Sequence, residues 1–433
     1  MKKIVIIVGA LLVAGLLGAT WYSSFQAEKI FAAQAEKTGE LYGPAVKVSL
    51  DDYTKGLLQS EARTSVVLGK AVPLHLLHKV THLPWGAKVV TTVNQEAYDE
   101  QGLAEIGAYL PLEQLQMVSH FGLTGNSDMR MNIPVMETDR DGLRIRLQGL
   151  EMNGSLNAGM DDGDFDFKVA SMQVRTPEIQ DLTFDGFHGF FNYREQGGFP
   201  LGEGVLQLDK ILLNREGVAG YELNGLSYRF NSTLTDRTLN QYVDVAFADL
   251  AVAGEACSNG RLKFEITGMD ADAARALQEV YGSMSAEALA GSDVDPFLIQ
   301  LQIMSKTVEL LQKGMHFKLE TLALETAGGN IHAQGFVDVE NMQQENRPAF
   351  DVKGVRAGAT VYFDADAFVS GYRLVSAMQG EQFSAEDLSS QAASLAQSLV
   401  SEGILVKTEN NGLEAELSFA EGKASLNGKP VSQ

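Results

Sequence analysis

Between Arg130 and Phe264 apolar and polar side chains alternate almost one for one, and no other feature of the chain constrains its fold as strongly. Leu143, Ile145 and Leu147 are separated by Arg144 and Arg146. Phe165, Phe167 and Val169 are separated by Asp166 and Lys168. The same two-residue period runs through Tyr242-Val-Asp-Val-Ala-Phe247. A strand points successive side chains to opposite faces, so this period gives one dry face and one wet face. A helix would scatter the same apolar residues around its circumference. Gly, Asn and Asp fall at the breaks, where tight turns need them, and the chain holds 43 glycines against 10 prolines. The segment reads as a series of antiparallel strands.

The period extends beyond this stretch. Val46, Val48 and Leu50 alternate with Lys47 and Ser49, and a second strand follows over Glu61–Leu68. Strands return over Met315–Leu324 and Asn330–Val339, and again at Ile404–Thr408, Leu413–Phe419 and Ala424–Leu426. Helical spacing marks Asp270–Leu289, Pro296–Gln312 and Ser389–Val400. Asn94–Leu110 also reads as helical, and Lys353–Val375 as a helix or a helix–strand mix. An apolar strand, a Gly-Leu or Gly-Asn step and another strand recur around 149–169, 205–228 and 316–337, a pattern that suggests duplication. The fold class expected is mainly β with some helices, as extended antiparallel curved sheets or a sandwich, after one N-terminal transmembrane helix.

That helix is read from the start of the chain. Lys2 and Lys3 precede a charge-free run from Ile4 to Tyr22, which ends in Trp21 and Tyr22. A helix of that length spans roughly 28 Å, close to the apolar thickness of a bilayer. Aromatic residues suit the interface, and lysines on the short side place the remainder across the membrane. A cleaved signal peptide fits the same basic and apolar pattern, although a bulky Trp21 follows the nearest small-residue site. The layout expected is a transmembrane anchor over 1–23, a juxtamembrane helix over 24–40, a β-rich region over 41–268, a helical insertion or linker over 269–314, and a second β-rich region with helices over 315–433. The localisation expected is the cell inner membrane, single-pass, with the body in the periplasm.

Charge and motifs narrow the function more by exclusion than by assignment. The net charge of -22 repels nucleic acid. The single cysteine, Cys257, forms no intramolecular disulfide and no thiolate metal site; it reads as a buried or turn-packed thiol, or as an intermolecular disulfide or reactive thiol. His75, His78 and His82 would share a face of a helix, but Pro73 and Pro84 bracket the segment and no carboxylate at matching spacing completes a metal shell. Asp161-Asp162-Gly163-Asp164 lacks the closing Glu of a calcium loop and reads as a hairpin turn. His188 lies among Phe184, Phe187, Phe190, Phe191 and Tyr193, as a base in an apolar cleft or as a core or turn histidine. No zinc-protease, nucleophile-elbow or phosphate-loop motif is present in the sequence. No catalytic, metal or cofactor residue is nominated.

The C-terminal tail carries a resemblance. It runs Leu399-Val-Ser-Glu-Gly-Ile-Leu405, then Leu413–Phe419, then Glu421-Gly-Lys-Ala-Ser-Leu-Asn-Gly-Lys-Pro430. With the N-terminal run and Tyr42-Gly43-Pro44, it resembles the YdgA-like family of Gram-negative bacteria, a domain of unknown function (DUF945). The resemblance implies an inner-membrane anchor through residues 4–22, a periplasmic body and self-association, and it supplies no reaction and no catalytic residues. Together these readings lead to the expectation of an inner-membrane-anchored periplasmic protein that binds lipid or another apolar envelope ligand. The alternatives are a homo-oligomeric envelope scaffold or partner-binding protein, and an envelope hydrolase with a dispersed site. A continuous apolar groove of several hundred Å² would favour lipid, and a closed core would favour a scaffold.

Overall fold

The computed structural model describes residues 46–431, apart from 57–58, 69–72, 84–85, 100–101, 103–113, 123–125, 141, 160, 178, 216–217, 291–295, 342–351, 365 and 380–383. Strands dominate, as the alternation requires. Strands β1 (Val46–Thr54), β2 (Gln59–Leu68), β3 (Leu74–Leu83), β4 (Gly86–Val93), β5 (Gln116–Gly122), β6 (Ser127–Arg140) and β7 (Leu143–Leu156) form an antiparallel meander in which each pairs with the next. β8 (Asp162–Arg175) and β9 (Ile179–Gln196) follow. A second meander runs through β10 (Phe199–Arg215), β11 (Val218–Thr235), β12 (Thr238–Val252) and β13 (Glu255–Asp270). Two helices, α1 (Ala271–Ala290) and α2 (Pro296–Gln312), interrupt the sequence but not the ladder. β14 (Met315–Thr326) pairs with β13, and β15 (Gly329–Val339) and β16 (Val355–Phe363) continue from it. After α3 (Ala367–Met378) and α4 (Ala385–Ser401), β18 (Leu413–Ala420) adds beside β16. The short strands β17 (Val406–Lys407) and β19 (Lys423–Leu426) both pair with β18, and β20 (Lys429–Pro430) pairs with β19.

The chain forms two compact units that interleave in sequence. The first holds the described residues up to Met172, with His188–Pro200 and Arg275–Met304. The second holds Gln173–Phe187, Leu201–Ala274 and the described residues from Ser305 onward. In the first unit the apolar face of the meander is sealed. Ala62, Leu76 and Val89 are 0 % exposed, and Met129 and Ile145 are nearly so. Each large side chain removed from water in this way contributes about 1.5–3 kcal/mol.

A four-residue pattern punctuates alternate strands. It reads Leu147-Gln-Gly149-Leu150 in β7, Phe184-Asp-Gly186-Phe187 in β9, Leu223-Asn-Gly225-Leu226 in β11 and Ile266-Thr-Gly268-Met269 in β13. Each glycine has positive φ, between 62° and 79°. At Gly225 a Cβ would lie 2.9 Å from the Cβ of Ala248, so both backbone conformation and space select glycine there. The β12–β13 register slips between Leu239 and Gln241, beside Gly268, which identifies that site as a bulge; at Gly149 and Gly225 the pairing skips the glycine and resumes in the same register.

Helix ends follow local chemistry. Ser384 caps α4 by accepting from the Asp387 amide at 3.1 Å, and Glu386 and Asp387 place negative charge at the positive end of the helix dipole. α3 buries Ala367, Leu374 and Ala377 against the second unit's sheet, and leaves Val375 and Met378 exposed.

Two expectations are corrected here. The strands of the second unit succeed one another in a single open ladder, so the sandwich alternative gives way to an open antiparallel sheet with few helices. The transmembrane helix also finds no counterpart: among the described residues no helix is long and apolar enough to cross a membrane. α2 is apolar but has 17 residues, about 26 Å at 1.5 Å per residue, and α1 carries Asp272, Arg275, Glu279 and Glu287. The expected anchor over 1–23, with its run 4–22, and the juxtamembrane helix over 24–40 lie outside the described residues. The single-pass inner-membrane localisation, the signal anchor, the membrane as partner and the periplasmic body are therefore without support, and they take no part in the functional reading.

Candidate functional site

The residues singled out from the sequence do not converge. β3 is a strand, so His75 faces one side while His78 and His82 face the other. His75 lies 3.7 Å from Asp51. His78 is fully buried, with Nε2 2.8 Å from Thr64 Oγ1 and Nδ1 2.9 Å from Thr91 Oγ1. Burial pushes its pKa down to about 3, so the ring is neutral. His82 Nε2 lies 2.9 Å from Ser60 Oγ. The three rings are tied to separate neighbours, and among the described residues no group of three His, Cys, Asp or Glu is placed to hold a metal.

The other candidates are also locally accounted for. Asp161 closes the hairpin between β7 and β8 by exchanging hydrogen bonds with the Asn157 side chain, and Asp162 pairs with Arg194 at 2.7 Å. His188 is exposed in β9, and nearby Phe191 stacks on Phe165 rather than roofing a cleft. Cys257 is buried against Val252, Leu374 and Ala377. Desolvation, with a smaller contribution from Asp249, raises its pKa and keeps the thiol protonated.

What the structure does assemble is a face. Directly opposed residues of antiparallel strands point to the same side, so the register of the second unit can be read across the sheet. One row runs Leu206, Tyr228, Val245, Leu262, Leu322, Ala333, Val361, Ala415, over eight strands without a charged residue. The next row runs Phe230, Val243, Phe264, Leu319, Gly335, Ala359, Leu417, and a third runs Ile266, Phe317, Val337, Ala357, Phe419. At strand spacings of about 4.8 Å and row spacings of about 6.8 Å, the band measures roughly 34 Å by 14 Å. Its members are mostly half-buried, but Leu262 is 36 %, Leu322 38 % and Leu417 46 % exposed.

The opposite face is ionic. Arg261 donates to both oxygens of Asp244, at 3.0 and 2.7 Å, and holds that carboxyl below the usual range. Lys263 pairs with Glu320 and lies 5.5 Å over the Tyr242 ring. Charge is thus kept to one side of the sheet and apolar surface to the other. Each strand's alternation was visible in the sequence; the rows were not, because they depend on register.

A family model described as "Bacterial protein of unknown function (DUF945)" matches residues 1–433. The chain belongs to DUF945. No curated protein and no solved structure matches. Membership in DUF945 brings no activity with it, but the structure explains the tail that resembles the family. In Leu426-Asn-Gly-Lys-Pro430, Asn427 accepts from the Glu416 amide through Oδ1 at 2.8 Å and donates through its own amide to Glu416 O at 2.7 Å. Its Nδ2 donates to Gly403 O at 2.7 Å and Ile404 O at 3.0 Å. Asn427 therefore clamps the end of α4 to β18. In this member of DUF945 the motif secures the edge of the sheet.

Proposed function

We propose that this DUF945 protein binds an elongated apolar ligand of the lipid class on the open face of its second unit. The observation that carries the reading is the row from Leu206 to Ala415: eight consecutive strands present apolar side chains to one side, and the row's Leu262 and Leu322 stay open to water. A surface strand normally spends its water-facing positions on polar residues, as the Asp244 side of the same sheet does. An apolar band of several hundred Å² is the size at which a surface marks an interaction site. The reading needs no catalytic group.

The test is native mass spectrometry of the full-length protein, followed by organic extraction of whatever copurifies. The expected result is a stoichiometric apolar ligand released on unfolding, and its loss in a Leu262→Lys, Leu322→Lys double variant that retains its circular dichroism spectrum. A clean apoprotein that also takes up no fatty acid in titration would overturn the reading.

A further inference from the structure

The band is not uniform, and its relief sets what can lie on it. Over β15 and β16 its side chains are small: Ala333 and Gly335 face Val361 and Ala359 across the strand pair, and Val337 faces Ala357. Larger side chains rise on both sides, Phe317, Leu319 and Leu322 on β14 and Leu417 and Phe419 on β18. A lane two strands wide therefore runs parallel to the strands, with exposed leucines on its rims.

The lane is stopped at both ends. At one end α3 crosses the sheet so closely that a Cβ on Gly371 would lie 2.9 Å from Cδ1 of Ile331, and Phe368 meets Phe363 edge-on at 5.4 Å. At the other end Val339, on the same face, is 3 % exposed. There a Cβ on Gly314 would lie 3.1 Å from the Val339 carbonyl oxygen, and the Lys313–Asp270 pair at 2.7 Å ties the end of α2 to the end of β13. Ile331 and Val339 are eight residues apart on one strand, which is about 27 Å at 3.4 Å per residue. Subtracting a van der Waals contact of about 3.5–4.0 Å at each stop leaves roughly 19–20 Å.

Resting on the reading that the face takes an apolar ligand, we infer that the lane over β15 and β16 accepts a single straight saturated acyl chain and measures its length. A carbon–carbon bond of about 1.5 Å near 111° advances about 1.25 Å along an extended chain, so the lane takes about 15–16 bonds, or about 16–17 carbons. A chain of this length fills the lane from Ile331 to Val339, and its polar head lifts away from the sheet at one stop. Carbons beyond the stops gain no contact.

The experiment is displacement of a fluorescent fatty acid from the full-length protein by saturated fatty acids of about 10 to about 22 carbons; each methylene buried should strengthen binding about fourfold, from ~0.8 kcal/mol per methylene. The expected profile rises to about 16 or 17 carbons and then flattens or falls. Val337→Trp, which stands a large ring in the lane two residues before the stop, should shorten the optimum by about five carbons, from a strand rise of ~3.4 Å per residue. Gln334→Trp, exposed on the opposite face, should leave the profile unchanged. Affinity that climbs steadily past about 20 carbons, or an optimum that ignores Val337→Trp, would overturn the length measurement while apolar binding stands, because burial is proportional to chain length only where nothing stops the chain. Failure of every chain length to displace the probe would overturn the inference together with the reading beneath it.

Discussion

The two units are built from the same kind of sequence, and their apolar faces end in opposite states. In the first, Ala62, Leu76 and Val89 are withdrawn from water, and the face is sealed tightly enough to enclose His78 and Ser119 as well. In the second, the corresponding face keeps Leu262, Leu322 and Leu417 more than a third exposed. The sealed face tolerates His78 because Thr64 and Thr91 satisfy the imidazole between them, whereas the buried Ser119 hydroxyl has no hydrogen-bond partner among the described residues. The most exposed positions of the open face, such as Leu262, Leu322 and Leu417, could carry polar residues at little desolvation cost, yet they are apolar. An exposed apolar face of this size is the surface that the proposed ligand would cover.

The comparison can be broken most forcefully with acid. His78 is held neutral with a pKa of about 3 against an ordinary 6.5, so the folded state binds fewer protons than the unfolded state. Its contribution is complete above pH 6.5 and is lost as pH falls toward 3, by ~1.4 kcal/mol per pH unit and on the order of 5 kcal/mol in all. Denaturant melts of the protein and of His78→Asn between pH 7 and 4 should therefore converge as pH falls. Parallel curves would remove burial of His78 as the cause. Truncation comes next: Leu76→Ala should cost about 3 kcal/mol, and Leu262→Ala under about 1 kcal/mol, because only the first leaves a cavity. Equal costs would mean that the second face is sealed in solution. Gly225→Ala should cost about 1–3 kcal/mol, since it strains a left-handed backbone and crowds Ala248; a neutral result would show that β11 relaxes around this position. The smallest effect on stability belongs to Leu322→Lys alone, within about 0.5 kcal/mol in a melt. Its binding of a fatty acid should nevertheless weaken at least tenfold, and unchanged affinity would move the ligand off the face.

Much of the secondary structure was legible because it is local. The spacing over Asp270–Leu289 and Pro296–Gln312 marks α1 and α2 closely, and alternation marks the strands from Arg130 to Phe264. Lys353–Val375 was ambiguous for a physical reason. Arg356-Ala-Gly-Ala-Thr360 in β16 has side chains too small for a hydrophobic period to stand out, and α3 follows after a short break. The candidate surface was hidden at a different level. It exists only once Leu322 is placed opposite Leu262 and Ala333, and that pairing depends on a slip between Leu319 and Leu322 which nothing in β14's own sequence announces. The repeats suggested around 149–169 and 205–228 fall on the left-handed glycines at 149 and 225. The unit suggested at 316–337 does not: β14 has no left-handed glycine, and the fourth instance is Gly268.

Those left-handed glycines have an evolutionary corollary. Glycines 149, 186, 225 and 268 recur at intervals of roughly 40 residues, one per hairpin, each set in the same apolar–polar–glycine–apolar frame. A hairpin copied or deleted between two such frames would still present the same backbone joint to its neighbours. Tandem gene duplication would then change the number of hairpins without a compensating mutation elsewhere. Relatives of this chain should differ in length by whole hairpins more readily than by fractions of one.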